Sequence, residues 1–189
     1  MNSIIENNTD TTQHAIPREW QRLTHIYAIL DAAQDENIYK LLMGCTEEFT
    51  CLFNGEIPNV LARAAPYLIK IPVRSPIFEQ IYQNGFFNNW GIFFFSYESG
   101  TALRKHFQSL LRVKTEDGRR LYFRYYDPRV LRTYLPTCTP SELRQFFSFV
   151  DTFWAAAEEG ESVIEYGKND DRFYVRTINL NDEVEMNNA

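Results

Sequence analysis

A dense mixture of charged and aromatic side chains occupies positions 119 to 138 of this 189-residue sequence. Within it, Arg124, Arg129 and Arg132 lie on either side of Asp127. Guanidinium groups hold carboxylates and phosphates through paired N–H donors, so these arginines could bind the carboxylate-bearing surface of a partner. In the alternative interpretation, Asp127 and one arginine form a bidentate ion pair that joins two elements of the fold. The residues alone leave both interpretations open, with Arg129 and Arg132 expected to face solvent.

Residues suited to acid–base or nucleophilic catalysis are scattered along the chain. Asp31 follows an apolar run, where α/β enzymes place carboxylates, although an aspartate there more often caps the next helix. His106 could act as a base, but a single histidine on a mixed helix more often packs or faces solvent. Ser96 lacks the glycines of a nucleophile elbow, and no glycine-rich phosphate loop occurs. We therefore predict no catalytic residue, no cofactor and no enzymatic activity.

The cysteine pattern argues against a metal site. Cys45, Cys51 and Cys138 include no C-x-x-C pair, and the three histidines supply no spacing typical of zinc ligands. Cys45 and Cys51 lie among apolar residues, so we predict reduced thiols packed in the core, as in a reducing compartment. No metal is expected.

Strands and helices alternate along the first two-thirds of the chain, which is the pattern of an α/β fold. Continuous apolar runs predict buried strands, and Asp127 followed by Pro128 predicts a helix start capped by the aspartate. We predict a mixed central sheet of about five strands flanked by helices, followed by a helical segment and a small C-terminal β-hairpin. The predicted strands cover residues 25–30, 49–53, 67–73, 90–97 and 120–126.

An aromatic segment follows at residues 141–157, where a capped start and an apolar pattern predict one helix. The pattern is too apolar for a helix with a single buried face, so the helix is either enclosed by neighbours or offered to a partner. Its candidate contact residues are Phe146, Phe147, Phe149, Phe153 and Trp154. Two alternating segments, 162–167 and 172–178, then predict the hairpin.

Composition along the chain suggests four parts. They are a flexible polar segment at residues 1–18, an α/β core at 19–135, a helical segment with the hairpin at 136–180, and a flexible acidic tail at 181–189. The first residues have no signal-peptide design, and no apolar run reaches membrane-spanning length. We therefore expect a cytoplasmic protein without a membrane partner.

Charge is distributed unevenly along the sequence. The 19 basic and 25 acidic residues give a formal net charge of −6, which disfavours nucleic acid as a partner. Nine basic residues against three acids lie between 101 and 134, whereas nine acids against three basic residues lie from 158 to the end. The two regions could face each other or be solvated, or the basic region could serve an acidic partner.

Four blocks of the sequence, in order, carry a resemblance to a known family. They read HIYAILDAAQ, APYLIKI, WGIFFFS with LRKHFQSLLRV, and DGRRLYFRYYDPRVLRTYLPTCTPSEL. From about residue 24 to 157 the chain resembles the bacterial type VI secretion effector-chaperone, or adaptor, family, long filed as a domain of unknown function. It departs from that family at Phe107, where the family usually has arginine.

The resemblance implies a cytoplasmic bacterial adaptor rather than an enzyme. Such proteins bind a toxic effector before export and promote its attachment to the secretion spike, a trimer of valine-glycine repeat proteins. The expected partners are therefore the effector and the spike protein. Arg124, Arg129 and Arg132, together with the aromatic segment, are the candidate contact residues.

The alternative is a small enzyme or ligand-binding domain. In that case the basic 104–132 cluster would hold a phosphorylated or carboxylated small molecule. A single pocket lined by Asp31, His106, Arg124 and Asp127 would favour this alternative. Wide separation of those side chains would exclude it.

Overall fold

The computed structural model describes residues 14–114, 117–169 and 172–181. Most of the two segments predicted to be flexible, namely residues 1–13 and 182–189, lies outside these described residues. At the start of the described chain, His14 exchanges two hydrogen bonds of 2.9 Å with the side chain of Gln83.

Nine strands occur in the described part of the chain, and seven of them form one antiparallel sheet. In chain order the strands are β1 His25–Asp31, β2 Phe49–Cys51, β3 Pro66–Pro72, β4 Gly91–Phe95, β5 Arg112–Lys114, β6 Arg120–Tyr122, β7 Thr152–Ala156, β8 Ser162–Asn169 and β9 Arg172–Asn179. The sheet has the order β2-β3-β1-β4-β7-β8-β9, while β5 and β6 pair with each other in a separate ribbon.

The predicted α/β class is confirmed, but two details of the predicted sheet are wrong. The sheet is wholly antiparallel rather than mixed, and it has seven strands rather than about five. The predicted C-terminal hairpin is present as β8 and β9. It continues the central sheet, because β7 pairs with β4 on one side and with β8 on the other.

Seven α-helices connect the described strands. They are α1 Arg18–Gln21, α2 Glu36–Gly44, α3 Asn59–Ala62, α4 Pro76–Ile81, α5 Gly100–Leu110, α6 Pro128–Tyr134 and α7 Pro140–Phe146. Side-chain caps begin five of them, with the oxygens of Asp35, Ser75, Ser99, Asp127 and Thr139 accepting a first-turn N–H. No helix in the described ranges is long and apolar enough to cross a membrane.

Helices cover both faces of the sheet because the central strands are apolar on both sides. In β1, Ile26 packs on one face in the same cluster as Trp20 of α1. Tyr27 and Ile29 pack on the other face, in the cluster of Phe107 of α5. The first layer contains α1, α2 and α4, and the second contains α5, α6 and α7. The sheet thus divides the core into two halves.

The strand predicted at 120–126 is wrong in extent and in place. Only Arg120–Tyr122 is extended, and it pairs with β5 instead of joining the central sheet. The amide of Phe123 donates to the carbonyl of Leu111 at 2.9 Å, after which the chain turns into α6. The ring of Tyr125 is fully buried beneath the second helical layer, which explains the apolar pattern without a strand.

The helix predicted at 141–157 is also wrong in extent. α7 ends at Phe146, and residues 152–156 form β7. Phe153 packs on one face of the sheet and Trp154 on the other, because successive side chains of a strand point to opposite faces. A strand buried on both faces cannot be distinguished from a buried helix by the periodicity of its apolar residues.

Gly91→Ala tests the close approach of β1 and β4. A Cβ atom at position 91 would lie 1.9 Å from the carbonyl oxygen of Ile29, so the backbone would have to move. We expect the free energy of unfolding, measured by urea denaturation, to fall by about 1–3 kcal/mol or more. Gly44→Ala is the matched control, because no atom lies within 4 Å of its added methyl group, and its effect should stay below about 1 kcal/mol. Equal stabilities of the two variants would contradict this packing.

Candidate functional site

A buried carboxylate lies where the central strand β1 ends. Asp31 is only 1% exposed, and its side chain accepts hydrogen bonds from three groups. The amide of Ala33 and the side-chain amide of Gln34 each donate at 3.1 Å, and a guanidinium N–H of Arg124 completes the set. Asp35, and not Asp31, caps the following helix α2. The side chain of Asp31 therefore pairs with Arg124 instead of starting a helix.

A second ion pair forms at the N-terminus of α6. Asp127 accepts the amide N–H of Arg129 at 3.0 Å and so caps the helix. The guanidinium of Arg129 donates to both carboxylate oxygens, at 2.9 and 2.7 Å. Pro128 occupies the first helical position, where no N–H is needed. Asp127 thus forms a bidentate ion pair, but its partner Arg129 belongs to the helix that Asp127 caps, so the pair does not join two elements as the structural alternative supposed.

Gln34 joins the two ion pairs into one network. Its amide nitrogen donates to Asp31 at 3.1 Å, and its oxygen accepts from Arg129 at 3.2 Å. We call Asp31, Gln34, Arg124, Asp127 and Arg129 the ion-pair corner. Through it, the end of β1 is tied both to the segment after β6 and to α6.

Hydrogen bonding holds the charges of the ion-pair corner in place. Burial opposes the charged form of Asp127, but the hydrogen bonds from Arg129 outweigh burial and lower the pKa of Asp127. Burial also opposes the charge of Arg124, but the bond to Asp31 outweighs it and raises the pKa of Arg124. Neither Asp127 nor Arg124 is therefore poised to exchange a proton near neutral pH.

The third arginine of the motif binds backbone instead of a carboxylate. Arg132 donates from Nη1 to the carbonyl of Ala156 at 2.6 Å and joins α6 to the end of β7. Its side chain is half-buried, so the prediction that it faces solvent is wrong, whereas the side chain of Arg129 is 53% exposed. The side chain of Arg124 is 42% exposed. All three arginines hold the chain together, and their contact with a partner stays a prediction.

The aromatic segment does not form the surface that the sequence predicted. Phe146, Phe147, Phe153 and Trp154 are each at most 3% exposed and belong to the two halves of the core. In this fold they cannot reach a partner, because β7 lies inside the sheet and the end of α7 packs against one face of it. Phe149 alone of the five is accessible, with 38% exposure.

His106 and Ser96 are occupied away from the ion-pair corner. A ring nitrogen of His106 lies 3.1 Å from the carbonyl oxygen of Phe146, and burial lowers the pKa of His106 despite this bond. Ser96 donates to the carbonyl of Phe149 at 2.6 Å. Neither side chain shares a hydrogen-bond partner with the corner, so these contacts do not bring His106 together with Asp31, Arg124 and Asp127.

The cysteines carry no disulfide and no metal site. All three are free thiols of intermediate burial, and Cys45 and Cys51, predicted to be packed in the core, lie only partly buried against it. Burial raises the pKa of each thiol and favours its protonated form. Within residues 14–114, 117–169 and 172–181, no group of three His, Cys, Asp or Glu side chains could hold a metal ion.

A groove of about 620 Å³ opens beside the start of α5, over β1, β2 and β3. Its charged lining residues are Lys70, Arg104, Lys105, Glu48 and Glu98. Arg104 already donates to the carbonyl of Cys51 at 3.1 Å, and Tyr97 at the rim is 87% exposed. Sequence reasoning missed this groove, because its lining comes from separate elements and forms no motif.

A second buried carboxylate, also missed by sequence reasoning, lies on β8. Glu165 is 3% exposed and accepts from Arg176 at 2.7 and 3.1 Å. The indole N–H of Trp154 donates at 2.8 Å and the hydroxyl of Tyr174 at 2.9 Å. Burial opposes the charged form, but these bonds outweigh it and lower the pKa of Glu165. The network stabilises the β7–β9 end of the sheet.

Arg124→Ala tests whether Asp31 depends on its partner. The variant leaves a carboxylate that is 1% exposed without its counter-charge. Because the side chain of Arg124 is 42% exposed, water screens the pair, and we expect the free energy of unfolding to fall by about 1–3 kcal/mol. Lys40→Ala breaks an exposed pair with Glu36 and should cost less than about 0.5 kcal/mol. Equally small losses in urea denaturation would show that the fold does not need Arg124.

Glu165→Gln tests the pH dependence of stability. The pKa of Glu165 is lower in the folded chain than its ordinary value of 4.5, so the unfolded chain binds the proton first as the pH falls. The stability that this carboxylate contributes is complete at neutral pH and is lost as the pH falls from about 4.5 through the folded-state pKa. The variant should be less stable at neutral pH and lose less stability on acidification than the natural chain. If urea denaturation shows that the variant and the natural chain lose the same free energy of unfolding on acidification, this role of Glu165 is contradicted.

Comparison with known proteins identifies a family. The sequence matches the family described as "Domain of unknown function (DUF4123)" over residues 26–145, which run from β1 into α7 and include the whole ion-pair corner. No curated protein and no solved structure shows significant similarity to the chain. Because the match covers well over half of its length, the chain belongs to the DUF4123 family.

Proposed function

We propose that this chain is a bacterial cytoplasmic adaptor that binds a type VI secretion effector and promotes its loading onto the valine-glycine repeat spike protein. The four ordered blocks that resemble the effector-chaperone family support the proposal. The family match over residues 26–145 covers almost the whole of these blocks and is compatible with it.

The observation that carries the proposal is that four charged residues of the most distinctive block bind within the chain itself, namely Arg124, Asp127, Arg129 and Arg132. Arg129 binds Asp127, and Arg124 binds Asp31. Arg132 binds a backbone carbonyl. Residues arranged in this way stabilise a scaffold and do not surround a reactive cavity. Such a scaffold suits a protein that works by presenting its surface to another polypeptide.

An adaptor needs contact residues that stay accessible after folding. Tyr97 is 87% exposed at the rim of the groove, and Phe149 is 38% exposed. The β5–β6 ribbon adds Leu121 and Tyr122, which are 47% and 46% exposed. Aromatic side chains make effective anchors at protein interfaces, because they bury a large area at a small cost in conformational entropy. We infer that the effector is held at such peripheral positions, and no covalent step is required.

A ligand-binding domain is the second candidate, and the groove beside α5 favours it. Its volume of about 620 Å³ suits a small molecule, and Lys70, Arg104 and Lys105 could attract an anion. However, Arg104 is already bound to backbone, and Glu48 and Glu98 in the same lining would repel an anion. This function therefore ranks below the adaptor.

Co-purification tests the adaptor function. When the tagged chain is co-expressed with the effector and spike proteins encoded beside its gene, we expect a complex with a dissociation constant in the micromolar range or tighter. Failure of every genetically linked effector and spike protein to bind at micromolar concentration would contradict the adaptor function. A rise in Tm with a phosphorylated or carboxylated small molecule, in the absence of any protein partner, would favour the second candidate.

A further inference from the structure

The β5–β6 ribbon has two chemically different faces. Val113 and Leu121 are direct cross-strand partners, exposed by 37% and 47%. Arg112 is opposite Tyr122, and Arg120 lies two positions from Tyr122 on the same strand. Because side chains alternate along a strand, Val113 and Leu121 share one face, whereas Arg112, Arg120 and Tyr122 share the other.

The basic face lacks a counter-charge among the described residues. Arg112 and Arg120 are both exposed, and within these residues neither makes an ion pair. Arg124 and Arg129, farther along the chain, are bound in the ion-pair corner. The basic region of the sequence thus separates into an internal part that is neutralised and an external part that is available to an acidic partner.

The ribbon contacts the rest of the fold at one end, and its two strand edges are unpaired within the described residues. The ring of Tyr122 packs edge-on against Phe53, with centroids 5.6 Å apart, and the amide of Phe123 donates to Leu111 at 2.9 Å. Within the described residues, neither strand pairs with a third one. A two-stranded ribbon is marginally stable alone, and a third strand paired with one of its edges would stabilise it and extend its apolar face. Its edges are therefore suited to strand addition.

We propose that the β5–β6 ribbon is the docking element for the effector, which adds an extended segment to it as a third strand. This proposal rests on the adaptor function proposed above. The two faces determine the chemistry of the added segment. Its side chains beside Val113 and Leu121 are apolar, and those beside Arg112 and Arg120 are acidic. The occupant is a polypeptide segment in which acidic and apolar residues alternate. Nucleic acid fits less well, because it would leave the apolar pair exposed.

Fluorescence anisotropy with the full chain tests this proposal. The probe is a labelled peptide in which glutamate and valine alternate, and the control peptide has the same composition with all glutamates in one block. Only the alternating peptide can place acids on one face of the ribbon and valines on the other. We expect it to bind at least about 10-fold more tightly than the block peptide at low salt. Equal binding of the two peptides would overturn the proposal.

Matched variants locate the binding site. Arg120→Glu and Leu121→Thr change exposed residues of the ribbon, and each should weaken binding of the alternating peptide by about 10-fold with an unchanged circular dichroism spectrum. Arg22→Glu changes an exposed residue just after α1, and Val60→Thr changes an exposed residue of α3; both variants should bind as the natural chain does. Loss of binding in the control variants, or retention in both ribbon variants, would contradict docking at the ribbon.

Co-purification of the effector with the same variants separates the two proposals. Loss of the effector in the ribbon variants alone supports docking at the ribbon. If the natural chain and both ribbon variants retain the effector equally, the adaptor function stands and the ribbon proposal is overturned. If no effector binds the natural chain, the adaptor function fails, and the peptide titrations still test the ribbon.

Two other ligands complete the test. If a single-stranded oligonucleotide, or a peptide with this chain's own residues 181–189, binds more tightly than the alternating peptide, the proposal is overturned.

Discussion

Burial of the Asp31 carboxylate at the end of β1 is the constraint on which the rest of the structure depends. A carboxylate removed from water needs a counter-charge and filled acceptors. Arg124 supplies the charge, and Gln34 extends the network to Arg129 and Asp127. These contacts hold the chain segment between β6 and α6 against the end of the sheet. The position of the ribbon and the start of α6 both follow from it.

The same constraint limits which side chains stay accessible on the surface. The ion-pair corner uses Arg124, Asp127 and Arg129 of the most distinctive sequence block, and most of the large aromatic side chains pack in the two halves of the core. Phe93 of β4 lies opposite Trp154 of β7, so these aromatic residues form the centre of the fold. Among the large side chains that stay exposed are Leu121 and Tyr122 of the ribbon and Tyr97 at the rim of the groove. The proposed adaptor function therefore depends on a few exposed side chains carried by the sheet and its helices.

Two buried carboxylates explain why some arginines of this fold are held in ion pairs and others are not. Asp31 and Glu165 are both almost fully buried, and each is matched by an arginine from another element. Leaving such a carboxylate unpaired would cost more free energy than an exposed arginine gains from a salt bridge. The arginines near a buried carboxylate are consequently occupied. Arg112 and Arg120 of the ribbon lie near no buried carboxylate of this kind, and neither forms an ion pair within the described residues.

Local signals in the sequence determined the strands β1, β3 and β4, the hairpin β8–β9 and the capped start of α6. Apolar runs bounded by turn residues located these strands to within two residues, because the signals lie inside each segment. Asp127 followed by Pro128 marked the cap of α6, because both residues act on the helix that they begin. Whether Asp127 pairs with an arginine was left open by the sequence, and the structure pairs it with Arg129 of the same helix.

Only the tertiary structure decided the remaining features. Residues 152–156 are a strand because they pair with β4, some sixty positions earlier, and a run buried on both faces has no periodicity that separates strand from helix. The assignment of Arg124 to Asp31 joins residues 93 positions apart, and nothing local to either residue specifies the other. Pairing between distant segments depends on how the layers pack. The pattern of a single sequence indicates the structure of each segment but does not indicate which distant segments it contacts.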